Sequence, residues 1–421
     1  MMKQLELAPG IRLHAMQTDR FKTGCFSINF IQPLKKETAA VNALLPSVLL
    51  RGCRSYPDMT AISSRLDQLY GSSIGTLVRK KGETQTVGLY ADFLEDAFCE
   101  EPIFRQVMDF LCQILTEPCM ENGGFVEAYT DGERQNLINA IESRINDKRT
   151  YAQHRLLQHM CAGEAFSVPR LGEAETLSAV TGKSLYERYG QILRESEIEL
   201  FYLGRQSCEA VAEALKPLLN VLPKGNRVKA AASLPGALPA EPRFVEEALN
   251  VTQGKLSIGF RTPICGGDPR YPALMVANAI FGSGMNSKLF LKIREEQSLC
   301  YYASSVLDKF KGIMIVDSGI EFGNYQVARD GILQQLQCCK NGEITTEELE
   351  AARTFLLTSF RIAMDSPGRL DDYTVGQAVA GLNDTMEDMM NLISVVTMEQ
   401  VVEAARTLET DTVYFLKGVE G

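Results

Sequence analysis

Histidine is scarce in this chain of 421 residues, which contains only His14, His154 and His159. Because histidine is the commonest metal ligand and the usual general base near neutral pH, three copies leave few ways to build a zinc site or a histidine-dependent catalytic unit. His154 and His159 lie about 140° apart around a helix, so they do not form the i, i+4 pair that chelates one ion. His14 stands alone in a predicted N-terminal strand.

Other absences exclude further classes of protein. The eleven cysteines are scattered without a C-x-x-C pair, which predicts reduced thiols. No run of 18 apolar residues occurs, and the N-terminus lacks a basic segment followed by an apolar stretch. We therefore expect no membrane span and a cytoplasmic location. Lys and Arg number 43 against 53 Asp and Glu, and the net charge of −10 argues against a nucleic-acid partner.

Nucleophilic catalysis finds little support either. Cys161 lies close to His159, but its surroundings match no thiol-enzyme signature, and a buried inert cysteine is the common case. Ser47 lacks the glycines of a nucleophile elbow. Neither a cysteine hydrolase nor a serine hydrolase is predicted.

The chain does contain an internal repeat. Cys25 to Pro33 reads CFSINFIQP and Lys255 to Pro263 reads KLSIGFRTP, with four of nine positions identical. Both segments alternate apolar residues with polar or small ones, as half-buried strands do. In each half, helical stretches, a strand pair around a charged turn and long helices follow. This order predicts an α+β fold of two homologous domains, each a mostly antiparallel sheet covered by helices on one face.

The length agrees with two domains, since one domain typically holds roughly 100 to 200 residues. Residues 222–244 are rich in Pro, Gly and Ala and show no apolar periodicity, as is typical of an extended linker. We therefore predict an N-terminal domain at 1–221, a linker at 222–244 and a C-terminal domain at 245–421.

The segment from Phe281 to Ser305, FGSGMNSKLFLKIREEQSLCYYASS, carries the most specific pattern. Its G-x-G alone is weak evidence for phosphate binding, and a glycine turn before a helix is the simpler interpretation. The segment also resembles the second-domain signature of the M16 (insulinase, pitrilysin and mitochondrial processing peptidase) family, G-x-G-M-x-S-x-L-F, then I-R-E, then L-x-Y. This resemblance extends over essentially the whole chain and implies the M16/LuxS-like metallohydrolase fold.

The resemblance implies a role for Arg294 and Tyr301, which stand at the family's spacing of seven residues. In the family, this pair projects from the second domain toward bound substrate. A fixed cation and a phenol donor there stabilise negative charge on a carbonyl oxygen. Without the family pattern, Arg294 beside Glu295 would be a solvated ion-pair residue, and Tyr301 would simply pack in a strand. With the pattern, we predict that both residues bind peptide substrate.

Active members of the family carry an inverted zinc motif, H-x-x-E-H, in which two histidines bind zinc and the glutamate is the general base. The equivalent helix here reads ALLPSVLLRG, so the ligand positions become Ala43 and Ser47 and the base position becomes Pro46. The resemblance places the third ligand position, normally a glutamate, at Ala140, after an insertion near Glu117 to Tyr129. These degenerate positions imply a chain without catalytic residues or a metal of its own.

The resemblance therefore implies a non-catalytic M16 subunit that binds peptide and pairs with an active partner. Zinc is expected in the partner and no cofactor in this chain; the partner is an active M16 subunit or, in a homodimer, a second copy. The wording ER-x-x-L and IES-x-I-N-D-K-x-x-YA is similar to bacterial M16 proteins associated with elongation factor P modification or peptide processing. Two alternatives stay open: an interaction scaffold in such a modification pathway without proteolysis, and a zinc metalloendopeptidase in its own right.

Overall fold

The computed structural model of the chain describes residues 2–223, 225–229 and 232–419. Residues 224, 230 and 231 of the predicted linker lie outside the described residues, as do residues 1, 420 and 421 of the two predicted domains.

The strands are β1 (Met2–Ala8), β2 (Ile11–Gln17), β3 (Thr23–Pro33), β4 (Ser73–Lys81), β5 (Thr84–Leu94), β6 (Met120–Glu121), β7 (Gly124–Phe125), β8 (Glu197–Gly204), β9 (Arg243–Leu249), β10 (Gly254–Arg261), β11 (Cys300–Asp308), β12 (Ile313–Ile320) and β13 (Glu409–Gly418).

The α-helices are α1 (Lys36–Leu49), α2 (Met59–Gln68), α3 (Phe104–Thr116), α4 (Glu127–Glu142), α5 (Lys148–Met160), α6 (Gly182–Glu195), α7 (Cys208–Ala214), α8 (Lys216–Val221), α9 (Tyr271–Asn278), α10 (Tyr325–Asn341), α11 (Thr346–Met364), α12 (Pro367–Ala380), α13 (Met386–Ser394) and α14 (Met398–Arg406). Two π-helical segments follow α9, at Ala279–Ser283 and Leu289–Glu296. Among the described helices, none has both the length and the apolar character needed to cross a lipid bilayer.

The chain divides into two compact units, and neither is continuous in sequence. The first unit consists of Met1–Glu142, Val168–Ala231 and Pro367–Val379, and the second of Ser143–Ser167, Ala232–Ser366 and Ala380–Gly421. Each unit thus includes a helix from the other half of the sequence: α12 belongs to the first unit and α5 to the second. The predicted continuous ranges, 1–221 and 245–421, stay a prediction.

The sheet of the first unit has the strand order β1-β2-β8-β3-β5-β4 and is antiparallel except between β2 and β8. The repeated strand β3 lies inside this sheet. Its alternate residues Phe26, Ile28 and Phe30 are buried in one hydrophobic core with apolar side chains of α1, α3 and α6. The residues between them are buried as well, from Gly24 to Gln32. The half-buried strand that the sequence pattern predicted is therefore wrong, because side chains on both faces of β3 are covered.

The sheet of the second unit has the order β11-β12-β10-β13-β9 and is antiparallel except between β13 and β9. The second copy of the repeat, β10, is its central strand. Leu256, Ile258 and Phe260 are fully buried in a core with apolar residues of α9, α10 and α14. The predicted α+β class, with helix-covered and mostly antiparallel sheets, is confirmed.

A helix also packs on the second face of the sheet of the second unit. Ala152, Leu156 and Met160 of α5 form a separate core cluster with residues of β12 and β13, including Tyr414. Gly259 makes this packing close, because a Cβ there would lie 2.5 Å from the sulfur of Met160. A larger residue at this point of β10 would require the Met160 side chain to move.

The repeated serine bonds to a buried carboxylate in both units, but the carboxylate comes from different elements. In the first unit Ser27 Oγ donates to Asp371 of α12 at 2.6 Å. In the second unit Ser257 Oγ donates to Asp317 of β12 at 2.7 Å. Burial raises the pKa of both carboxyl groups, which the serine hydrogen bonds partly offset.

The predicted linker makes specific contacts where it leaves the first unit. Arg227 Nη1 donates to the backbone oxygens of Leu193 and Ser196 at 3.0 and 2.7 Å, at the end of α6. Val228 forms a short parallel bridge with Ser196. The last two residues of the predicted linker, Arg243 and Phe244, already belong to β9.

Candidate functional site

Helix α1 carries three of the four degenerate zinc-site positions. Ala43 is only 3% exposed, Pro46 is buried and Ser47 is half-buried. Ala43 and Ser47 lie one turn apart on one helical face, which is the spacing of the two histidines in a zinc site. Neither residue is a histidine. Methyl and hydroxyl groups do not bind zinc as imidazoles do. Nowhere in residues 2–223, 225–229 and 232–419 do three or more His, Cys, Asp or Glu side chains form a metal-binding group.

Pro46 lies inside α1, three residues before the helix ends. Proline lacks the N–H that would donate to the carbonyl one turn earlier, and it costs about 3 kcal/mol relative to alanine in a helix interior. Two effects offset part of this cost: the proline ring buries apolar surface, and proline lowers the conformational entropy of the unfolded chain. Pro46→Ala is therefore expected to raise the free energy of unfolding by about 1 to 2 kcal/mol, measured by urea denaturation. Ser47→Ala, the matched control, should change it by less than about 0.5 kcal/mol. A lower stability for Pro46→Ala would show that packing of the ring dominates.

The third ligand position, Ala140, lies in α4, and it is half-buried. Glu133 lies two helical turns before Ala140 in α4. It accepts a hydrogen bond at 3.2 Å from Nη1 of Arg51, a residue just beyond the end of α1. The Arg51 guanidinium also lies 5.1 Å from the centre of the Tyr129 ring. Glu133 thus forms an ion pair that links α4 to the segment just beyond α1.

The region of the predicted insertion forms a small hairpin. Strands β6 and β7 pair around Asn122 and Gly123, which both have positive φ, 49° and 78°. Asn-Gly is the favoured pair for a tight turn of this kind, because both residues tolerate the left-handed region. The hairpin directly precedes α4, the helix of Ala140.

A network of uncharged amides surrounds the first turns of α1, and sequence analysis did not predict it. Asn42 Nδ2 donates to Gln85 Oε1 at 3.0 Å, and Gln85 in turn donates to the backbone oxygen of Ala39. Arg188 of α6 donates to Asn42 Oδ1 at 2.9 Å and to Gln32 Oε1 at 2.6 Å. Burial lowers the pKa of Arg188. These hydrogen bonds hold α1 against the sheet and α6 and offer no proton-transfer group.

His14 lies in β2, as predicted, but it does not stand alone. Its side chain is buried, and Nε2 lies 2.7 Å from Glu199 Oε2 of β8. Glu199 also accepts hydrogen bonds from Arg12. The expectation of an isolated His14 is therefore wrong, because the parallel pairing of β2 and β8 places it beside a carboxylate 185 residues away.

The other two histidines lie in α5, with separate partners. His154 Nε2 is 2.9 Å from Arg144 Nη1. His159 stacks on Tyr414, with ring centres 6.3 Å apart, and burial together with the nearby Arg155 lowers its pKa. Cys161 is fully buried. These surroundings are those of packed structural residues, so a thiol–imidazole catalytic pair gains no support.

Arg294 lies in the π-helical segment Leu289–Glu296, and its side chain is 42% exposed. Its guanidinium carbon lies 4.7 Å from the centre of the Phe290 ring, and Nε lies 3.4 Å from Glu295 Oε1. π-Helical turns are rare and are frequently found at functional sites. The segment ends before Ser298, which has a positive φ of 51° and leads into β11.

Tyr301 lies in β11, the edge strand of the sheet, and is 60% exposed. Its hydroxyl donates to Glu321 Oε1 at 2.7 Å, and this hydrogen bond with the carboxylate raises the pKa of the phenol. Sequence reasoning missed Glu321, which follows β12 and therefore lies next to the start of β11 in the antiparallel pair. Both predicted substrate-binding residues are thus accessible, and the Tyr301 hydroxyl donates a hydrogen bond to a neighbouring acid.

The chain is similar to known proteins of the M16 peptidase family. Residues 179–356 match the family model described as "Peptidase M16 inactive domain". The "Probable inactive metalloprotease YmfF" of Bacillus subtilis (strain 168) is 31% identical over 414 residues, which cover 98% of this chain and 97% of the relative. A second Bacillus subtilis relative, the "Uncharacterized zinc protease YmxG", is 26% identical over 273 residues, 63% of this chain and 61% of that protein.

Solved structures show the same fold. A conserved protein from Enterococcus faecalis V583 superimposes with a TM-score of 0.92 and 29% identity, covering 100% of this chain and 99% of that one. A peptidase M16 inactive domain from Pseudomonas fluorescens gives a TM-score of 0.80 at 16% identity, with 100% and 99% coverage. At 16% identity, the likeness to the Pseudomonas fluorescens structure concerns the fold alone.

Proposed function

Because the chain belongs to the M16 peptidase family as a catalytically inactive homologue, we propose that it binds peptide substrate and pairs, as the non-catalytic subunit, with an active M16 partner. The predicted family and the predicted absence of catalysis are confirmed. The alternative of a zinc metalloendopeptidase in its own right loses support, because the matching family model is described as an inactive domain and the relative as a probable inactive metalloprotease. The predicted assignment of Ala43, Pro46 and Ser47 to the zinc-motif positions agrees with this.

One observation carries the proposal: the predicted zinc-binding positions and the predicted substrate-binding positions of the family differ in what this chain has at them. The zinc positions of the first unit hold side chains that cannot bind a metal. In the second unit, Arg294 and Tyr301 are retained and exposed, at 42% and 60%. A chain that binds peptide without cutting it requires only the second set.

The same observation favours a heterodimer over a homodimer. Two copies of this chain would contain only degenerate zinc positions, so the zinc of a proteolytic pair must come from an unlike subunit with H-x-x-E-H. The occurrence in Bacillus subtilis of one relative named an inactive metalloprotease and another named a zinc protease supports a division of this kind. In such a pair this chain binds no cofactor and contributes peptide-binding surface.

We expect Arg294→Gln and Tyr301→Phe each to reduce peptide cleavage by the reconstituted pair roughly tenfold or more, because a charge-assisted or phenolic hydrogen bond to substrate is lost. The measurement is kcat/KM of this chain mixed with an H-x-x-E-H homologue from the same organism. Two controls remove comparable groups elsewhere: Arg361→Gln, on the exposed side of α11, and Tyr186→Phe, on α6.

The pair should cleave peptide, each subunit alone should not, and a chelator should abolish the activity of the pair. If Arg294→Gln and Tyr301→Phe cleave as well as the two control variants, the retention of both residues is structural and the peptide-binding role is refuted.

A second candidate function is an interaction scaffold without proteolysis, for example in the modification of elongation factor P. The engagement of Tyr301 by Glu321 and of Arg294 by Glu295 favours it, since neither group is then fully available to a substrate carbonyl. For a scaffold, peptide or partner binding would persist in the presence of a chelator, and no cleavage would occur with any H-x-x-E-H homologue.

A further inference from the structure

Two positive side chains converge on one aromatic ring in the second unit. The guanidinium carbon of Arg149, in the first turn of α5, lies 4.5 Å from the centre of the Tyr302 ring. The ammonium nitrogen of Lys255, in β10, lies 5.7 Å from the same centre. Like charges repel, so a pair of cations at one ring is a costly arrangement unless an anion lies nearby.

Neither cation has a carboxylate partner among the residues that the structure describes. Arg149 Nη2 donates to Ser304 Oγ at 2.9 Å, and Lys255 Nζ donates to the side-chain oxygen of Gln253. Burial lowers the pKa of Lys255, the charge of Arg149 lowers it further, and the charge of Asp147 partly offsets both effects.

The nearby acids are already engaged. Asp147 caps α5, accepting from the backbone N–H groups of Arg149 and Thr150 and from the Thr150 hydroxyl. Asp317 accepts from Ser257 Oγ and from Gln153 Nε2, and burial raises its pKa, which disfavours its charged form. Neither carboxylate forms an ion pair with Arg149 or Lys255, although the charge of Arg149 lowers the pKa of both acids and the charge of Asp147 raises the pKa of Lys255. The donors of the two cations therefore stay available to a further acceptor.

The backbone makes room for this arrangement. Gly319 of β12 lies opposite both Lys255 and Tyr302 in the sheet. A Cβ at Gly319 would lie 2.5 Å from Tyr302 Cε1 and 3.0 Å from Gln253 Oε1. The glycine thus leaves space for the Tyr302 ring over the sheet, and Ser304 and Gln253 accept hydrogen bonds from the two cations beside it.

We propose that Arg149 and Lys255 form an oxyanion-binding site, assisted by the Ser304 hydroxyl and the Gln253 amide. The ligand is a small group with two or three acceptor oxygens, either inorganic phosphate or the terminal carboxylate of a peptide. The guanidinium fork and the ammonium group both donate charge-assisted hydrogen bonds to such an acceptor. The site is separate from Arg294 and Tyr301 and does not depend on pairing with a zinc subunit.

The test is calorimetric titration of the full chain with inorganic phosphate and, separately, with acetyl-triglycine as the free acid and as its C-terminal amide. We expect saturable binding of phosphate or of the free acid, no binding of the amide, and a loss of affinity of about tenfold in Arg149→Gln and in Lys255→Gln. Arg361→Gln, the matched control, should bind like the wild type. Phosphate binding alone identifies phosphate as the ligand, and selective binding of the free acid identifies a peptide carboxylate.

A second measurement uses the wild-type chain and needs no variant. An amine-acylating reagent should label Lys255 several times more slowly when the bound oxyanion is present, while labelling of Lys292 stays constant, as read by mass spectrometry of digested protein. Absence of saturable binding at millimolar phosphate and free acid would overturn the proposal. So would equal affinity of the wild type and both glutamine variants, or unchanged labelling of Lys255.

Discussion

Asp411→Ala is expected to lower the free energy of unfolding of the second unit by about 3 to 5 kcal/mol, because it leaves a buried arginine without its counter-charge. Asp411 is fully buried in β13, and its carboxylate accepts from Arg261 Nε at 2.6 Å and from Arg243 Nη2. The Arg261 side chain is only 3% exposed. Water cannot replace the lost carboxylate there without opening the packing between β10 and α5.

The electrostatics of this cluster indicate the same direction. Burial alone would lower the pKa of Arg261, but the hydrogen bond that Arg261 donates to Asp411 and the charges of Cys161 and Glu164 outweigh it, so that the pKa lies above its usual value. Glu164 Oε1 also accepts from Arg261 Nη2 at 2.6 Å. One carboxylate therefore remains after Asp411→Ala, which places the expected loss nearer the lower limit.

The measurement is urea denaturation followed by hydrogen exchange, which reports separately on the amides of β10 and β13. Asp330→Ala is the control, because its ion pair with Arg329 is on the surface and should be worth no more than about 1 kcal/mol. Asp411→Asn keeps a hydrogen-bond acceptor and loses the charge. Its loss in the free energy of unfolding should lie between the losses of Asp411→Ala and Asp330→Ala. Equal midpoints for Asp411→Ala and Asp330→Ala would mean that the cluster is not a determinant of stability.

Restoring the four degenerate positions is expected to create zinc binding where the natural chain has no ligands. In the variant Ala43→His, Pro46→Glu, Ser47→His and Ala140→Glu, α1 presents two imidazoles one turn apart, and α4, which packs beside α1, presents the third ligand. Replacing Pro46 also removes a helix-breaking residue. We expect about one zinc ion per chain, measured by metal analysis after dialysis, against none retained by the wild type.

The variant without Ala140→Glu is the control for the position in α4. Two histidines without a carboxylate should retain zinc at least tenfold more weakly, since three protein ligands are usual in an open zinc site. If both variants are folded and bind zinc equally, Ala140 is not the third position, and Glu142 or Glu133 becomes the candidate. If neither binds zinc, the assignment of Ala43 and Ser47 is itself wrong.

The fold class could be predicted from sequence because its signals are local. Alternation along β3 and β10 reflects which side chains face a core, and the repeated Ser, Ile, Phe and Pro positions indicate that the unit occurs twice. The predicted degeneracy of the zinc motif depends on a local signal too, since Ala43, Pro46 and Ser47 lie within about one helical turn of each other, and it stays a prediction. Short-range patterns of this kind follow from 2.0- and 3.6-residue periods.

The contacts that sequence analysis missed join residues far apart in the chain. Ser27 and Asp371 are separated by 344 positions, and His14 and Glu199 by 185. No period or motif connects such pairs, because they depend on which helix or strand the chain brings against a given sheet face. The same holds for Tyr301 and Glu321, whose proximity depends on the register of β11 and β12.

The sequence by itself determined the α+β class of this chain, and it predicts degenerate zinc positions and a substrate-binding role for Arg294 and Tyr301. Only the tertiary structure decided that α5 and α12 each pack in the unit of the opposite half, and that Arg149 and Lys255 meet at one ring. The physical reason is that periodicity specifies which face of an element is buried, whereas the partner of that face is chosen by packing and charge among distant segments.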